Sequence, residues 1–137
     1  MRDRVETFPA TGEGQHAPRV LLVEDEPLTR EALASFLEDA GFDVTATCSG
    51  DEAVILLTED EYALLLTDIS MPGEINGLGL AEHAREIHPG LPIVIVSGRE
   101  GTEAYASAVT PPAAFFSKPF DVSRLVGTIG QMVREAA

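Results

Sequence analysis

Five residues have types and positions that suit phosphorus chemistry: Glu24, Asp25, Asp68, Ser97 and Lys118. Glu24 and Asp25 close the apolar run VLLVED (20–25), and Asp68 closes YALLLTD (62–68). Ser97 stands near the end of PIVIVSG (92–98), and Lys118 near the exit of AAFFSKPF (113–120). Three crowded carboxylates cannot all stay ionised without a counter-charge. A hard divalent cation supplies it, and an all-oxygen donor set suits Mg²⁺. A carboxylate can attack phosphorus to give an aspartyl phosphate. Such a transfer needs mainly positioning and charge neutralisation. Lys118 offers a second cation for phosphoryl oxygens, and the Ser97 hydroxyl a hydrogen bond. On this reading Asp68 is the acceptor, Asp25 a direct metal ligand, and Glu24 a ligand through a metal-bound water.

The elements that must bring these residues together can be read from apolar patterning. Residues 1–18 are rich in Gly, Pro, Thr and charge without periodicity, and read as a flexible tail. From residue 19 to 137, strand and helix patterns alternate about five times, as in layered α/β domains. Pro27 starts a helix with Leu33, Phe36, Leu37 and Ala40 on one face, and Gly41 stops it. FDVTATC (42–48) reads as a strand, with Cys48 a small buried residue. Ser49 caps a helix presenting Ala53, Val54 and Leu57. Leu80, Ala81, Ala84 and Ile87 mark another helix, stopped by His88-Pro89-Gly90. A weak, alanine-rich helix is expected over 102–109. Asp121 caps a last helix carrying Val122, Leu125, Val126, Ile129, Met132 and Val133.

Runs such as LLLTD and IVIVS are apolar on both faces, as in parallel strands covered by helices on both sides. The fold class is therefore α/β, a doubly wound parallel sheet with right-handed crossovers. Such sheets bind ligands beyond the carboxyl ends of their strands, where the five residues converge.

The bulk numbers agree. A chain of 137 residues suits one domain. With 23 acidic and 9 basic residues it carries a net charge of −14, which repels nucleic acid. That charge also serves solubility. A single cysteine excludes an internal disulfide. No apolar stretch resembles a signal peptide or membrane span, so a cytoplasmic location is expected. His16, His83 and His88 lack the spacing of a metal site.

VLLVEDE, LLLTDISMPG, IVIVSG and FFSKPF, in this order, resemble the receiver domains of two-component response regulators over residues 19–137. The resemblance implies a five-stranded, flavodoxin-like sheet in the order 2-1-3-4-5. It implies a phosphoprotein whose Asp68 takes a phosphoryl group, Mg²⁺-dependently, from a histidine kinase or histidine phosphotransfer protein. It assigns the Ser70 backbone carbonyl to Mg²⁺, and Ser97 and Phe115 to the switch positions. It makes Lys118–Pro119 a typically cis pair that aims the lysine. Phe115 is equally an ordinary core aromatic. Output would pass through the face made by the 102–109 helix, the last strand and the last helix. A homodimer through that face is compatible with the resemblance. The chain ends after the last helix, so the expectation is a stand-alone receiver acting on a partner protein. No catalysis is expected beyond its own phosphorylation and dephosphorylation.

Three departures stand out. Glu24 replaces the commoner Asp. The loop MPGEINGLG has one residue more between Pro72 and Gly77 than the usual MPxMDG, and Phe115 lacks a tyrosine hydroxyl. Three other functions compete. A haloacid-dehalogenase-like phosphatase needs a second Asp two residues after a first-strand nucleophile, which EDEP lacks. A flavodoxin-like flavin carrier needs a phosphate-cradling loop there, and EDEP is acidic. The nearest alternative is a phosphorylation-independent pseudo-receiver that only binds partners.

Overall fold

The computed structural model describes residues 17–69, 76–98 and 109–136. Ser70, the rest of the 70–75 loop, most of the expected 102–109 helix and residues 1–16 of the expected tail lie outside these. Five parallel strands form one sheet in the order β2-β1-β3-β4-β5. They are β1 (Arg19–Val23), β2 (Asp43–Thr47), β3 (Leu64–Asp68), β4 (Ile93–Ser97) and β5 (Ala113–Ser117). The described helices are α1 (Pro27–Asp39), α2 (Gly50–Glu59), α3 (Gly77–Ile87) and α4 (Val122–Ala136). The expected α/β class and strand order are both found.

Successive side chains of a strand face opposite sides, and the core divides by that parity. Val20, Leu22, Leu64, Leu66, Val94 and Val96 pack with Leu33 and Leu37 of α1 and Leu125 and Ile129 of α4. Leu21, Val23, Leu65, Ile93 and Ile95 pack with Ala53 and Leu57 of α2 and Leu80, Ala81 and Ala84 of α3. β3 and β4 are buried at every position. Sandwiching between two helix layers explains why their sequences are unbroken apolar runs. Each leucine so buried contributes about 1.5–3 kcal/mol.

Local signals set the helix ends. Glu26 caps α1 by accepting from the Thr29 N–H at 2.9 Å, and Pro27 follows at the first helical position. Gly41, with φ 103°, ends α1 in the left-handed region. There the Phe42 N–H donates to the Leu37 carbonyl at 3.1 Å, and both side chains join the core. Ser49 caps α2 as expected, and Asn76 caps α3. The Asp121 carboxylate accepts from the Ser123 N–H at 2.9 Å, at the start of α4.

Two expectations about burial fail. Phe36 is 50% exposed. The buried stripe of α1 is narrow, running through Leu33 and Leu37 to the capping Ala40, and Phe36 instead rims a groove with Val122 and Val126 of α4. Cys48 is exposed, because it follows β2 at the edge of the sheet, beyond the cover of the helices. No helix among the described residues is long and apolar enough to cross a membrane.

Candidate functional site

The strand register brings the expected residues to one edge. β1 ends at Val23, two residues earlier than the sequence run, but the Glu24 N–H still donates to the Thr47 carbonyl at 3.0 Å. Glu24 therefore leaves the sheet in line with the ladder. Asp68 pairs in register with Val96, so Ser97 stands one residue further along the neighbouring strand. The Lys118 N–H donates to the Ser97 carbonyl at 2.8 Å, which carries the β5 exit along β4. The Lys118–Pro119 peptide is cis, as expected.

The side chains meet there. Lys118 Nζ lies 2.6 Å from Asp68 Oδ2 and 3.5 Å from Glu24 Oε1. A charge-assisted contact as short as the first is among the strong hydrogen bonds. Glu24 is 1% exposed and Asp68 6%, while Asp25 is exposed. Ser97 is buried. Oxygens of Glu24, Asp25 and Asp68 all lie within 4.8 Å of one another. All five residues singled out by type and spacing thus sit at one sheet edge. Ser70 lies outside the described residues. Phe115 pairs with Ile95, is half-buried, and packs against the α2–α3 side of the core. That placement fits a core role.

The electrostatics are unbalanced. Burial raises the Glu24 carboxyl above its ordinary value, with a smaller upward push from the charges of Asp68 and Asp25. The Glu26 N–H, 3.1 Å from Glu24 Oε2, and the Lys118 charge oppose that rise. Burial alone would lower Lys118. The hydrogen bond and charge of Asp68, helped by Glu24, outweigh burial and hold it above the ordinary lysine value. One ammonium thus serves two buried carboxylates, and Glu24 Oε1, 3.5 Å from that ammonium, is buried with no hydrogen bond among the described residues. A buried oxygen left so, beside two more carboxylates, is what a hard cation would satisfy. The donor set fits Mg²⁺.

Some contributors carry no motif. Arg30, one turn into α1, donates to the Glu24 carbonyl at 2.8 Å and to the Asp25 carbonyl at 3.4 Å, bracing the acidic corner. The buried Thr67 hydroxyl donates to the Asp68 carbonyl at 3.0 Å. His88 is no ligand of this site, since its Nε2 lies 3.1 Å from the Leu57 carbonyl.

A parallel five-stranded sheet with an acidic cluster and a lysine at its carboxyl edge defines a class, and comparison gives the family. Residues 20–130 match the model of the response regulator receiver domain. The chain is 40% identical over 116 residues to the response regulator receiver protein CpdR of Brucella abortus, covering 84% of this chain and 96% of that protein. A response regulator receiver protein from Sinorhizobium medicae superposes with a TM-score of 0.82 at 34% identity, covering 88% of this chain and 98% of that one. The receiver domain of the sensor histidine kinase PA1611 from Pseudomonas aeruginosa shares the fold, with a TM-score of 0.78 at 21% identity over 86% of this chain and 98% of its own. That structure holds a magnesium ion in its active-site cleft. The chain belongs to the response regulator receiver family of two-component signalling.

Proposed function

We propose that Asp68 accepts a phosphoryl group from the phosphohistidine of a histidine kinase or histidine phosphotransfer protein. The observation that carries this is the buried Asp68 carboxylate held 2.6 Å from Lys118 within the three-carboxylate cluster. An Asp68 oxygen attacks phosphorus, an O–P bond forms and the P–N bond breaks. The electron pair stays on the imidazole nitrogen, which leaves neutral after taking a proton from water. Lys118 then pairs with a phosphoryl oxygen in place of the carboxylate oxygen, and the Ser97 hydroxyl donates to another. Asp25, Asp68, Glu24 through a water, and the Ser70 carbonyl are the residues that would hold Mg²⁺. The ion supplies charge neutralisation for the phosphoryl oxygens. The kinship with receivers and the magnesium held by the PA1611 domain support this reading.

The phosphorylated chain signals through a partner protein, binding it by the surface of residues 102–118 and α4; the same face is the proposed dimer contact. Its work is in the cytoplasm, and it turns over no substrate beyond its own phosphorylation and dephosphorylation. Intact mass after incubation with acetyl phosphate tests the reading. A phosphate-sized gain is expected in the parent, and none in Asp68→Asn or without Mg²⁺. No gain from acetyl phosphate or from a phosphohistidine donor favours a phosphorylation-independent binding module. Equal affinity of a partner for the two forms would refute the proposed output.

A further inference from the structure

The first residue of α3, Gly77, is buried directly against the backbone of the acceptor. A Cβ built there would press into the Asp68 carbonyl oxygen. It would also lie 2.6 Å from the Ile69 Cα and 2.9 Å from the Asp68 carbonyl carbon. These neighbours are backbone, which cannot swing aside as a side chain can. The Gly77 N–H donates to the Ile69 carbonyl at 3.0 Å, so the start of α3 is fastened to the residue after the acceptor. The Asn76 side chain accepts from the Gly79 N–H at 2.9 Å and fixes where the helix begins. The Thr67 hydroxyl donates to the same Asp68 carbonyl at 3.0 Å. The acceptor peptide is therefore held by a hydroxyl and by a helix terminus that has no side chain.

Gly90 and Gly127 are not held this way. A Cβ at Gly90 or Gly127 would meet nothing within 4 Å. Gly77 is not in the left-handed region either, since Gly41 is the residue with positive φ among those described. Its need for glycine is one of close approach, not of backbone conformation.

We propose that Gly77 is a positioning residue for the phosphoryl acceptor: by carrying no side chain it lets α3 seat on the Asp68–Ile69 peptide, and so fixes the Asp68 carboxylate against Lys118. The inference rests on Asp68 being the acceptor. A methyl group at position 77 pushes that peptide away from α3, along the chain that carries the carboxylate. A displacement near 1 Å costs reactions of this kind about a hundredfold, because the attacking atom is no longer in line.

The test compares Gly77→Ala with Gly90→Ala and with Leu57→Ala, a core truncation that destabilises without touching the site. Phosphorylation is followed by intact mass over a series of acetyl phosphate concentrations with Mg²⁺, at a temperature where circular dichroism shows all variants folded. Gly77→Ala is expected to lower the maximal rate between about tenfold and a hundredfold. Gly90→Ala and Leu57→Ala keep the parent rate, although Leu57→Ala melts earlier. A second readout needs no phosphorylation: the coupling between Asp68→Asn and Lys118→Met, taken from urea unfolding in the parent and in the Gly77→Ala background. That coupling is expected to fall by roughly half or more. If Gly77→Ala does not fold, Thr67→Val carries the test by releasing the same carbonyl, with the same two effects in smaller degree. Parent-like rate and coupling in the altered protein overturn the proposal. A parent that takes no phosphoryl group overturns the acceptor reading instead, and the coupling then decides the role of Gly77 alone.

Discussion

The two edges of the sheet are held in opposite ways. At the carboxyl edge, Glu24 and Asp68 are buried together and share Lys118, and Glu24 Oε1 has no hydrogen bond among the described residues. At the other edge, Arg85 of α3 serves as a clamp. Its guanidinium donates to the carbonyls of Pro89 at 3.0 Å, Thr110 at 2.7 Å and Pro112 at 3.1 Å, and also to that of Leu91. The Pro112 carbonyl accepts as well from the Ile93 N–H at 3.1 Å, so one oxygen joins α3, β4 and the entry to β5. Nearby, an apolar hollow of about 620 Å³ lies between Pro18, Tyr62, His88, Leu91 and Val133. One edge concentrates negative charge that a cation would relieve. The other spreads one cation over neutral carbonyl dipoles, and among the described residues its buried Arg85 Nε and Tyr62 Oη are left without a hydrogen bond. What separates the edges is unbalanced charge: carboxylates outnumber cations at one, while at the other a single cation meets only neutral dipoles.

Substitutions at the two edges should therefore separate function from stability. The largest effect is expected from Lys118→Met, which removes the cation facing Asp68. Its phosphorylation rate with acetyl phosphate falls about 10²–10³-fold, while the fold persists. Arg85→Ala gives the reverse pattern. It removes a donor from four carbonyls, of which that of Pro112 keeps the Ile93 N–H, and costs about 2–3 kcal/mol in urea unfolding. Its phosphorylation rate stays near that of the parent. An Arg85→Ala protein that is stable but slow would erase the distinction between the edges.

Glu24→Gln sharpens the comparison within the carboxyl edge. Without Mg²⁺ it should unfold at higher urea than the parent at neutral pH, by about 1 kcal/mol, because a desolvated charge is gone. With saturating Mg²⁺ the order reverses, since the parent binds the ion more tightly. The smallest effect is its pH dependence. The folded Glu24 carboxyl sits above 4.5, its unfolded value, so the native state holds that proton more firmly. The stabilisation is complete below pH 4.5 and is lost as pH rises through the raised value. The stability difference between parent and Glu24→Gln in metal-free urea titrations should follow that course, and a flat difference would contradict it.

Much of the carboxyl edge was legible in the sequence. Apolar runs buried on both faces announced β3 and β4, and each of the five candidate residues stands at or just past a strand end. The edge could be read because strand direction and burial both leave periodic marks. What could not be read depends on distance across the fold. Arg85 looks like any solvated helix arginine until the loops of Pro89 and Thr110 close on it. Gly77 reads as a loop glycine, and its contact with Asp68 follows only from where α3 lands. Phe36 has helical spacing like that of Leu33 and Leu37, but the sheet reaches only a narrow stripe of α1. Cys48 reads as core by type, and it is the edge position of β2 that exposes it.

The central claim is that Asp68, held by Lys118, receives the phosphoryl group. Its most direct test is to phosphorylate the protein with acetyl phosphate and Mg²⁺, reduce it with sodium borohydride and map its peptides by mass spectrometry. An aspartyl phosphate is reduced to homoserine, whereas an unmodified carboxylate is not. Homoserine at position 68 alone is the predicted result. Homoserine at position 25, or a phosphate-sized mass gain with no reducible residue at 68, would contradict the account.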